Sequence, residues 1–250
     1  MYKTQHIESK GNELKVIPIP VTQVGYGKQR GKKLFNEPYS NISLIGRKKS
    51  GKTSVIFKIL KDCASSGTVV IVFGSTVNKD SSWLYIQKYC EEKDIKIIPY
   101  VSIADDEDKK EDHLQKLLHF LRNEPPSKSE SGELDYLLIF DDIGDELRHP
   151  SINQLLKTNR HYKMKVILST HYFVDLMPAA RRQIDYWILF GGLTQNDLET
   201  IFKDSNLPRP WKLATFQRIY TDATVNPHSF LYLKNGGDDT RINFDREVII

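Results

Sequence analysis

Residues 46–53 decide the fold, and they read Gly46-Arg47-Lys48-Lys49-Ser50-Gly51-Lys52-Thr53. This stretch satisfies the pattern G-x-x-x-x-G-K-[ST] at every defined position. A strand-length apolar run at residues 42–45 precedes it, and a helical pattern of apolar residues follows at residues 52–64. In this strand–loop–helix context, a glycine-rich loop wraps phosphate with its backbone N–H groups at a helix N-terminus. The sequence therefore predicts a site for the phosphates of a nucleotide.

The phosphate loop and the start of its helix supply the candidate ligands of ATP and Mg²⁺. Lys52 is expected to reach the β- and γ-phosphates, where it also acts in catalysis, and the Thr53 hydroxyl is expected to bind Mg²⁺. The nucleotide-binding set comprises Gly46, Arg47, Lys48, Lys49, Ser50, Gly51, Lys52, Thr53 and Ser54.

A second motif, at residues 137–142, reads Leu-Leu-Ile-Phe-Asp-Asp. Continuous apolarity is typical of a strand covered on both faces, and parallel sheets bind ligands beyond the carboxyl ends of their strands. Asp141 is therefore expected to hold Mg²⁺ through its water shell. Asp142 stands where many ATPases of this type have a glutamate that orients the attacking water, and we assign it to catalysis. The alternative is that Asp142 belongs to a solvated loop.

Strand-length apolar runs alternate with helical patterns along most of the chain. Strands are predicted at residues 42–45, 68–73, 95–100, 135–140, 165–169 and 186–190, and helices at residues 52–64, 81–93, 110–123, 151–161 and 195–205. This alternation predicts a single α/β domain with a doubly wound, mainly parallel sheet. The two strands predicted between the phosphate loop and Asp141 favour the additional-strand (RecA-like) division of P-loop ATPases. A GTPase is rejected because Asn78-Lys79-Asp80 is mis-spaced and follows the wrong strand.

We expect the ATPase core at residues 41–207, between an N-terminal extension at residues 1–40 and a C-terminal extension at residues 208–250. The C-terminal extension holds one candidate strand, at residues 230–233, and is expected to pack on or beside the core. A polar segment rich in Pro and Ser, residues 124–133, is expected to form a surface loop.

Composition restricts the class of protein without identifying its chemistry. Among the 250 residues, 36 Lys and Arg against 32 Asp and Glu leave a net charge of +4 with His neutral, and 39% are hydrophobic, enough for a core. No apolar run approaches the length of a membrane span, and the N-terminus lacks the apolar region of a secretory signal. Two cysteines are too few for a disulfide scaffold. We therefore expect an intracellular protein without a membrane span.

The strand predicted at residues 165–169 leads into Thr170 and His171. Polar side chains at this edge of the sheet can touch the γ-phosphate or the attacking water, so we assign Thr170 or His171 as a sensor. The alternative is a turn that caps a helix. Phosphoryl transfer also needs positive charge, which an arginine from a neighbouring subunit commonly supplies. The candidates are, in order, Arg160, the pair Arg181 and Arg182, and Arg148, with Arg47 as an alternative in the same subunit.

The motifs together resemble the poxvirus-type genome-packaging ATPases of the FtsK/HerA superfamily, which occur across large DNA viruses, virophages and related elements. The resemblance covers about residues 40–205. It rests on the two motifs above, on Asn159-Arg160-His161-Tyr162, on Val166-Ile167-Leu168-Ser169-Thr170-His171-Tyr172, and on the later Leu176-Met177-Pro178, Arg181 and Asp185-Tyr186. The family usually has glutamine after the sensor strand, where this chain has His171.

The resemblance implies a homo-oligomeric ring, a pentamer or a hexamer, that hydrolyses ATP to move double-stranded DNA into a preformed capsid. It implies capsid or portal-like vertex proteins as partners, and the virion or the host cytoplasm and viral factory as the location. Arg160, which matches the family's arginine before the sensor strand, would act on a neighbour's ATP. Candidate DNA-backbone contacts are Lys28, Arg30, Lys32, Lys33 and Lys79. The alternatives are a conjugation or segregation motor, a helicase-loader-like ATPase, and a nucleotide-binding switch with little turnover.

Overall fold

A computed structural model describes residues 29–104, 112–124, 132–208 and 210–249. Most of the predicted N-terminal extension, including Lys28, and the greater part of the predicted loop at residues 124–133 lie outside the described residues. Within the described ranges, no helix is both long enough and apolar enough to cross a membrane.

The described residues form nine strands and seven α-helices. The strands are β1 Asn41–Ile45, β2 Val69–Phe73, β3 Lys96–Tyr100, β4 Tyr136–Asp141, β5 Met164–Thr170, β6 Tyr186–Phe190, β7 Phe230–Lys234, β8 Thr240–Ile242 and β9 Arg246–Glu247. The helices are α1 Lys52–Cys63, α2 Ser81–Glu92, α3 His113–Asn123, α4 Pro150–Thr158, α5 Pro178–Arg181, α6 Gln195–Asp204 and α7 Leu213–Ala223.

All nine strands belong to one sheet, in the order β3-β2-β4-β5-β1-β6-β7-β8-β9. Strands β1 to β6 pair in parallel, and β7 to β9 add an antiparallel edge. The register sets Asp141 opposite Ser169 and Ile45 opposite Thr170. The carboxyl ends of β1, β4 and β5 therefore meet at one edge of the sheet. The predicted fold class, a single α/β domain with a mainly parallel sheet, is confirmed.

The strand that separates β1 from β4 is β5, which follows Asp141 in the chain. The two strands predicted between the motifs were the reason for expecting an additional strand, but they do not separate β1 from β4, because β2 and β3 lie outside β4. Chain order does not determine sheet order when every connection between strands is a crossover. The consequence for the site is that the segment carrying Thr170 and His171 lies directly between the phosphate loop and Asp141.

Helices cover both faces of the sheet, which explains why its central strands are continuously apolar. On one face, Ile56 and Ile59 of α1 and Trp83 of α2 pack into one buried cluster. On the other face, α3, α4, α6 and α7 contribute to a second cluster, with buried residues such as Leu118 and Ile152. Each buried aliphatic side chain contributes about 1.5–3 kcal/mol relative to exposure. The two layers hold the sheet edge that carries the motifs.

The C-terminal region contains more structure than the sequence predicted. The candidate strand is present as β7, but α7, β8 and β9 were not predicted. Phe216, Tyr220 and Ala223 form the buried face of α7 at helical spacing, so the periodic signal was present next to Pro208 and Pro210, which suggested irregular structure. The division into a core and two extensions remains a prediction, and β7 hydrogen-bonds directly to β6 of that core.

Candidate active site

The phosphate loop connects β1 to α1, and its backbone requires glycine at two positions. Gly51 has a φ of 101°, in the left-handed region that favours glycine. At Gly46, an added Cβ would lie 2.6 Å from the Phe190 Cβ and 2.7 Å from the Ser50 Oγ. The Gly46 N–H donates to the Thr170 carbonyl oxygen at 3.2 Å, which ties the loop to the end of β5. The loop is therefore built into the sheet edge.

The Lys52 side chain is buried and folds back over the phosphate loop. Its ammonium group donates to the carbonyl oxygens of Gly46, at 2.7 Å, and Arg47, at 3.3 Å. Burial lowers the pKa of Lys52, while the charges of Asp141 and Asp142 act in the opposite direction. The lysine thus lies close to both acids of the second motif.

Asp141 ends β4 as a buried carboxylate with side-chain contacts to α2 and to the neighbouring strand β5. The Trp83 indole N–H, from the first turn of α2, donates to the Asp141 Oδ2 at 2.9 Å. Burial raises the pKa of Asp141, and the side-chain contacts of Ser169 and Trp83 and the charge of Lys52 act against that rise. Sequence analysis missed Trp83. The only signal was its position at the start of a helix that follows the neighbouring strand β2, at the same edge of the sheet.

Asp142 and His171 form a close pair at the mouth of the phosphate loop. The Asp142 backbone has a φ of 57°, a left-handed conformation that few residues other than glycine adopt. The His171 Nε2 lies 2.6 Å from the Asp142 Oδ1, and the His171 Nδ1 lies 3.1 Å from the Lys52 Nζ. A carboxylate only accepts hydrogen bonds, so Nε2 donates to Asp142, while Nδ1 lies close to both the Lys52 ammonium and, at 3.2 Å, the Gly46 carbonyl oxygen.

The buried Ser50 hydroxyl oxygen, beside the phosphate loop, has no hydrogen-bond partner within the described residues. Buried polar groups normally have partners, so an unpaired hydroxyl points to a missing ligand. A cavity of about 820 Å³ is lined by Ser50, Lys52, Thr53, Ser54, Asp141, Asp142 and His171. Hard oxygen donors such as Thr53 and Asp141 suit Mg²⁺, and the loop N–H groups and Lys52 suit phosphate. The residues present therefore fit ATP with Mg²⁺.

Arg160 lies away from the phosphate loop of its own chain. It belongs to a 3₁₀ turn before β5, so it occupies the sheet edge opposite the phosphate loop. Its guanidinium donates to Asp185 at 2.9 Å and to Glu37 at 3.1 Å, and the side chain is 59% exposed. Arg160 does not contact its own Lys52 or Asp142, and its exposure leaves the guanidinium accessible to another molecule.

The other candidate arginines have different surroundings. The Arg181 guanidinium lies 4.4 Å from the centre of the Phe173 ring and forms an ion pair with Asp204, with the Nε at 3.3 Å, and its side chain is only 14% exposed. Arg47 is exposed and lies against Gly192, where an added Cβ would approach its Nε to 2.7 Å. Arg181 is thus held by structural contacts, and Arg47 lies on the far side of the loop from Asp142.

The candidate DNA contacts in the described residues are all on the surface. Arg30, Lys32, Lys33 and Lys79 are exposed. Contacts from basic side chains to nucleic-acid phosphates do not read the base sequence.

Comparison with known proteins gives a family match over most of the chain. The family model described as "Poxvirus A32 protein" matches residues 28–236. A curated relative, the "Uncharacterized protein 075L" of Invertebrate iridescent virus 6, is 26% identical over 204 residues, which is 80% of this chain and 72% of that protein.

Solved structures share the fold. The genome packaging NTPase B204 from Sulfolobus turreted icosahedral virus 2, in complex with AMP, has a TM-score of 0.55 at 21% identity and is matched over 86% of this chain and 100% of that chain. The same protein in complex with ATP-gammaS has a TM-score of 0.54 at 23% identity, over 83% and 97% of the two chains. The cytoplasmic domain of the Type VII secretion ATPase EccC from Thermomonospora curvata has a TM-score of 0.50 at 11% identity, over 81% of this chain and 23% of that chain.

Proposed function

The chain belongs to the poxvirus A32 protein family, and from that premise we propose that it is an ATP-driven motor that moves double-stranded viral DNA into a preformed capsid. The single observation that carries the proposal is the chain of contacts from Asp142 through His171 to Lys52, beside the phosphate loop. It brings both sequence motifs and the sensor segment to one cavity. The resemblance in fold to B204, described as a genome packaging NTPase, supports the same conclusion.

Each side chain of the cavity has a role in this proposal. The loop N–H groups and Lys52 bind the phosphates, and Thr53 and Asp141 hold Mg²⁺. When bound, Mg²⁺ supplies positive charge to the phosphate oxygens. Asp142 accepts a proton from the attacking water, and His171 fixes the position of the Asp142 carboxylate. The Thr170 side chain is buried and does not line the cavity, so the sensor role in this proposal belongs to His171.

Assembly into a ring of five or six subunits places one subunit's exposed arginine against its neighbour's nucleotide. We assign this role to Arg160 before Arg181, because Arg160 is 59% exposed whereas Arg181 is 14% exposed and packed on Phe173. DNA passes through the ring and is held by phosphate contacts from the exposed lysines and arginines. Capsid or vertex proteins anchor the ring, and the site of action is the viral factory or the virion.

The experiment that tests motor activity is displacement of a third strand from a DNA triplex. Purified protein with Mg²⁺ and ATP is expected to displace the strand, and a Lys52→Ala variant is expected to leave it bound. Displacement should weaken steeply as salt rises, because contacts to DNA phosphates release counterions. Displacement without ATP would contradict the proposal.

Two alternatives predict other outcomes. A nucleotide-binding switch binds ATP and releases it without turnover, and it displaces no strand. A conjugation or segregation motor displaces the strand but has no part in capsid filling. Substituting Asp141→Asn in the viral genome separates these cases: packaging predicts intact capsids that lack DNA, and filled capsids would contradict it.

A further inference from the structure

A second, smaller cavity continues from the phosphate loop on the side of the loop away from Asp142. It has a volume of about 330 Å³ and lies between Arg47 and the segment 224–229, which joins α7 to β7. Four residues line both cavities: Lys48, Lys49, Ser50 and His228. The two spaces therefore meet at the phosphate loop, and a ligand whose phosphates occupy the first can extend into the second.

The position of this cavity follows from the sheet. β6 ends at Phe190, which pairs with Phe230 at the start of the antiparallel strand β7. The segment 224–229 therefore lies at the same edge as the phosphate loop. In open α/β sheets this edge is where nucleotides bind.

The segment is held in a defined shape against the loop. The Ser229 N–H donates to the Asn226 carbonyl oxygen at 3.2 Å, and His228 has a φ of 64°. A proline at the second position and a positive φ at the third are the features of a type II turn. An added Cβ on Gly51 would lie 3.4 Å from the His228 Nδ1, so the imidazole ring rests against the glycine of the loop. The turn thus presents a flat ring next to the phosphate site.

The side chains of the turn have the chemistry of a nucleobase site. Val225 lines this cavity and is 70% exposed, so it offers apolar contact area to a base. The Asn226 side-chain amide makes no hydrogen bond within the described part of the chain. A side-chain amide pairs with adenine by donating and accepting one hydrogen bond each. The Arg47 guanidinium lines the opposite wall, where it can stack on a base.

We propose that the cavity between Arg47 and the 224–229 segment binds the base of the nucleotide, and that Asn226 selects adenine over guanine. The inference rests on the proposed function, since it assumes a nucleotide whose phosphates lie at residues 46–53. It adds a specificity site in the C-terminal region, outside the two sequence motifs.

Binding of ATP, GTP and inorganic tripolyphosphate, each with Mg²⁺, tests the proposal by isothermal titration calorimetry. Tripolyphosphate carries the phosphates without the base. Asn226→Leu should weaken ATP binding by about tenfold and leave tripolyphosphate binding unchanged. The preference for ATP over GTP should shrink. His228→Gly, which suits the positive φ, should also weaken ATP binding selectively. Asn196→Leu, the same change at an exposed position of α6, is the matched control and should change nothing.

Two results would overturn the base site and leave the proposed function intact. The first is wild-type protein that binds ATP no more tightly than tripolyphosphate. The second is an Asn226→Leu variant with an unchanged ratio of ATP to GTP affinity. Wild-type protein that binds none of the three ligands would overturn both proposals.

Discussion

The His171 Nε2 lies 2.6 Å from the Asp142 Oδ1, and this contact joins the end of β5 to the end of β4 at the phosphate loop. The other ring nitrogen lies 3.1 Å from the Lys52 Nζ. The short aspartate is thus linked to the loop lysine through an imidazole. In the proposed mechanism this link sets where the Asp142 carboxylate meets water, so Asp142 and His171 should act as one unit.

The first prediction concerns that unit. Asp142→Asn and His171→Ala should each lower kcat for ATP hydrolysis by about 100-fold, in the range of lost general-base catalysis. The double variant should be little worse than either single variant, because each change disables the same pair. His171→Gln should retain more activity than His171→Ala, since the amide can donate to Asp142 and accept from Lys52. Steady-state kinetics of wild type and the four variants measures how strongly the effects of Asp142 and His171 on kcat depend on each other.

An exposed histidine on α3 provides the control, and His119→Ala should leave kcat unchanged. Fully additive losses in the double variant would show that Asp142 and His171 act independently, against the proposed link.

The second prediction concerns Trp83, whose indole N–H holds the Asp141 carboxylate. Trp83→Phe removes this donor while keeping an aromatic ring. The pKa of Asp141, already raised by burial, should rise further. The Mg²⁺ concentration needed for half-maximal activity should increase about tenfold, as when a partner of a metal ligand is lost. A Mg²⁺ titration of ATPase activity measures the change, with kcat at saturating Mg²⁺ largely retained.

The matched control for Trp83 is Tyr85→Phe on the same helix, at a side chain that is 62% exposed. If Trp83→Phe needs the same Mg²⁺ concentration as wild type, Trp83 does not support Mg²⁺ binding, and the prediction is wrong.

The third prediction concerns Arg160. Arg160→Ala should abolish ATPase activity if the guanidinium acts on a neighbour's nucleotide. The cost in stability should be at most about 1 kcal/mol, since the ion pairs with Glu37 and Asp185 involve a largely exposed guanidinium. Mixing Arg160→Ala with Lys52→Ala subunits should restore part of the activity, because some interfaces then combine an intact loop with an intact arginine.

Activity measured over a range of mixing ratios provides the test, with Arg218→Ala on α7 as a control that keeps full activity alone. Zero activity at every ratio, in mixtures shown to co-assemble, would contradict action between subunits.

The fourth prediction concerns Lys165, a fully buried lysine of β5. Its ammonium lies 2.6 Å from the Ser40 Oγ and 4.7 Å from the centre of the Phe35 ring. Burial lowers its pKa to about 8, from 10.5 in the unfolded chain. Between these values the unfolded chain binds a proton on this lysine that the folded chain does not. The free energy of unfolding should therefore rise with pH in this window, by at most about 1.4 kcal/mol per pH unit from this group.

A Lys165→Met variant isolates the part of the pH dependence that comes from Lys165, because wild type and variant have all other titrating groups in common. Urea unfolding of both proteins at pH 7 and pH 10 should show wild type gaining stability relative to the variant as pH rises. A difference that is constant over this range would contradict a lowered pKa of Lys165.

Sequence reasoning identified the motifs because phosphate binding requires a local pattern. Gly51 and Lys52 lie within one loop, and the apolar run before Asp141 is the signature of a strand buried on both faces. The contact between His171 and Asp142 was not predictable, since it depends on β5 lying between β1 and β4. Trp83 was missed for a similar reason: its role depends on a packing contact 58 residues distant in the chain. The turn at His228 depends on an antiparallel strand whose pairing leaves no local signature.

ATP turnover with and without double-stranded DNA, for wild type and Lys52→Ala side by side, tests the central claim most directly. The account predicts Mg²⁺-dependent hydrolysis that rises when DNA is added, and hydrolysis at background level for Lys52→Ala under both conditions. Wild-type protein that binds ATP without hydrolysing it, or Lys52→Ala protein with undiminished turnover, would contradict it.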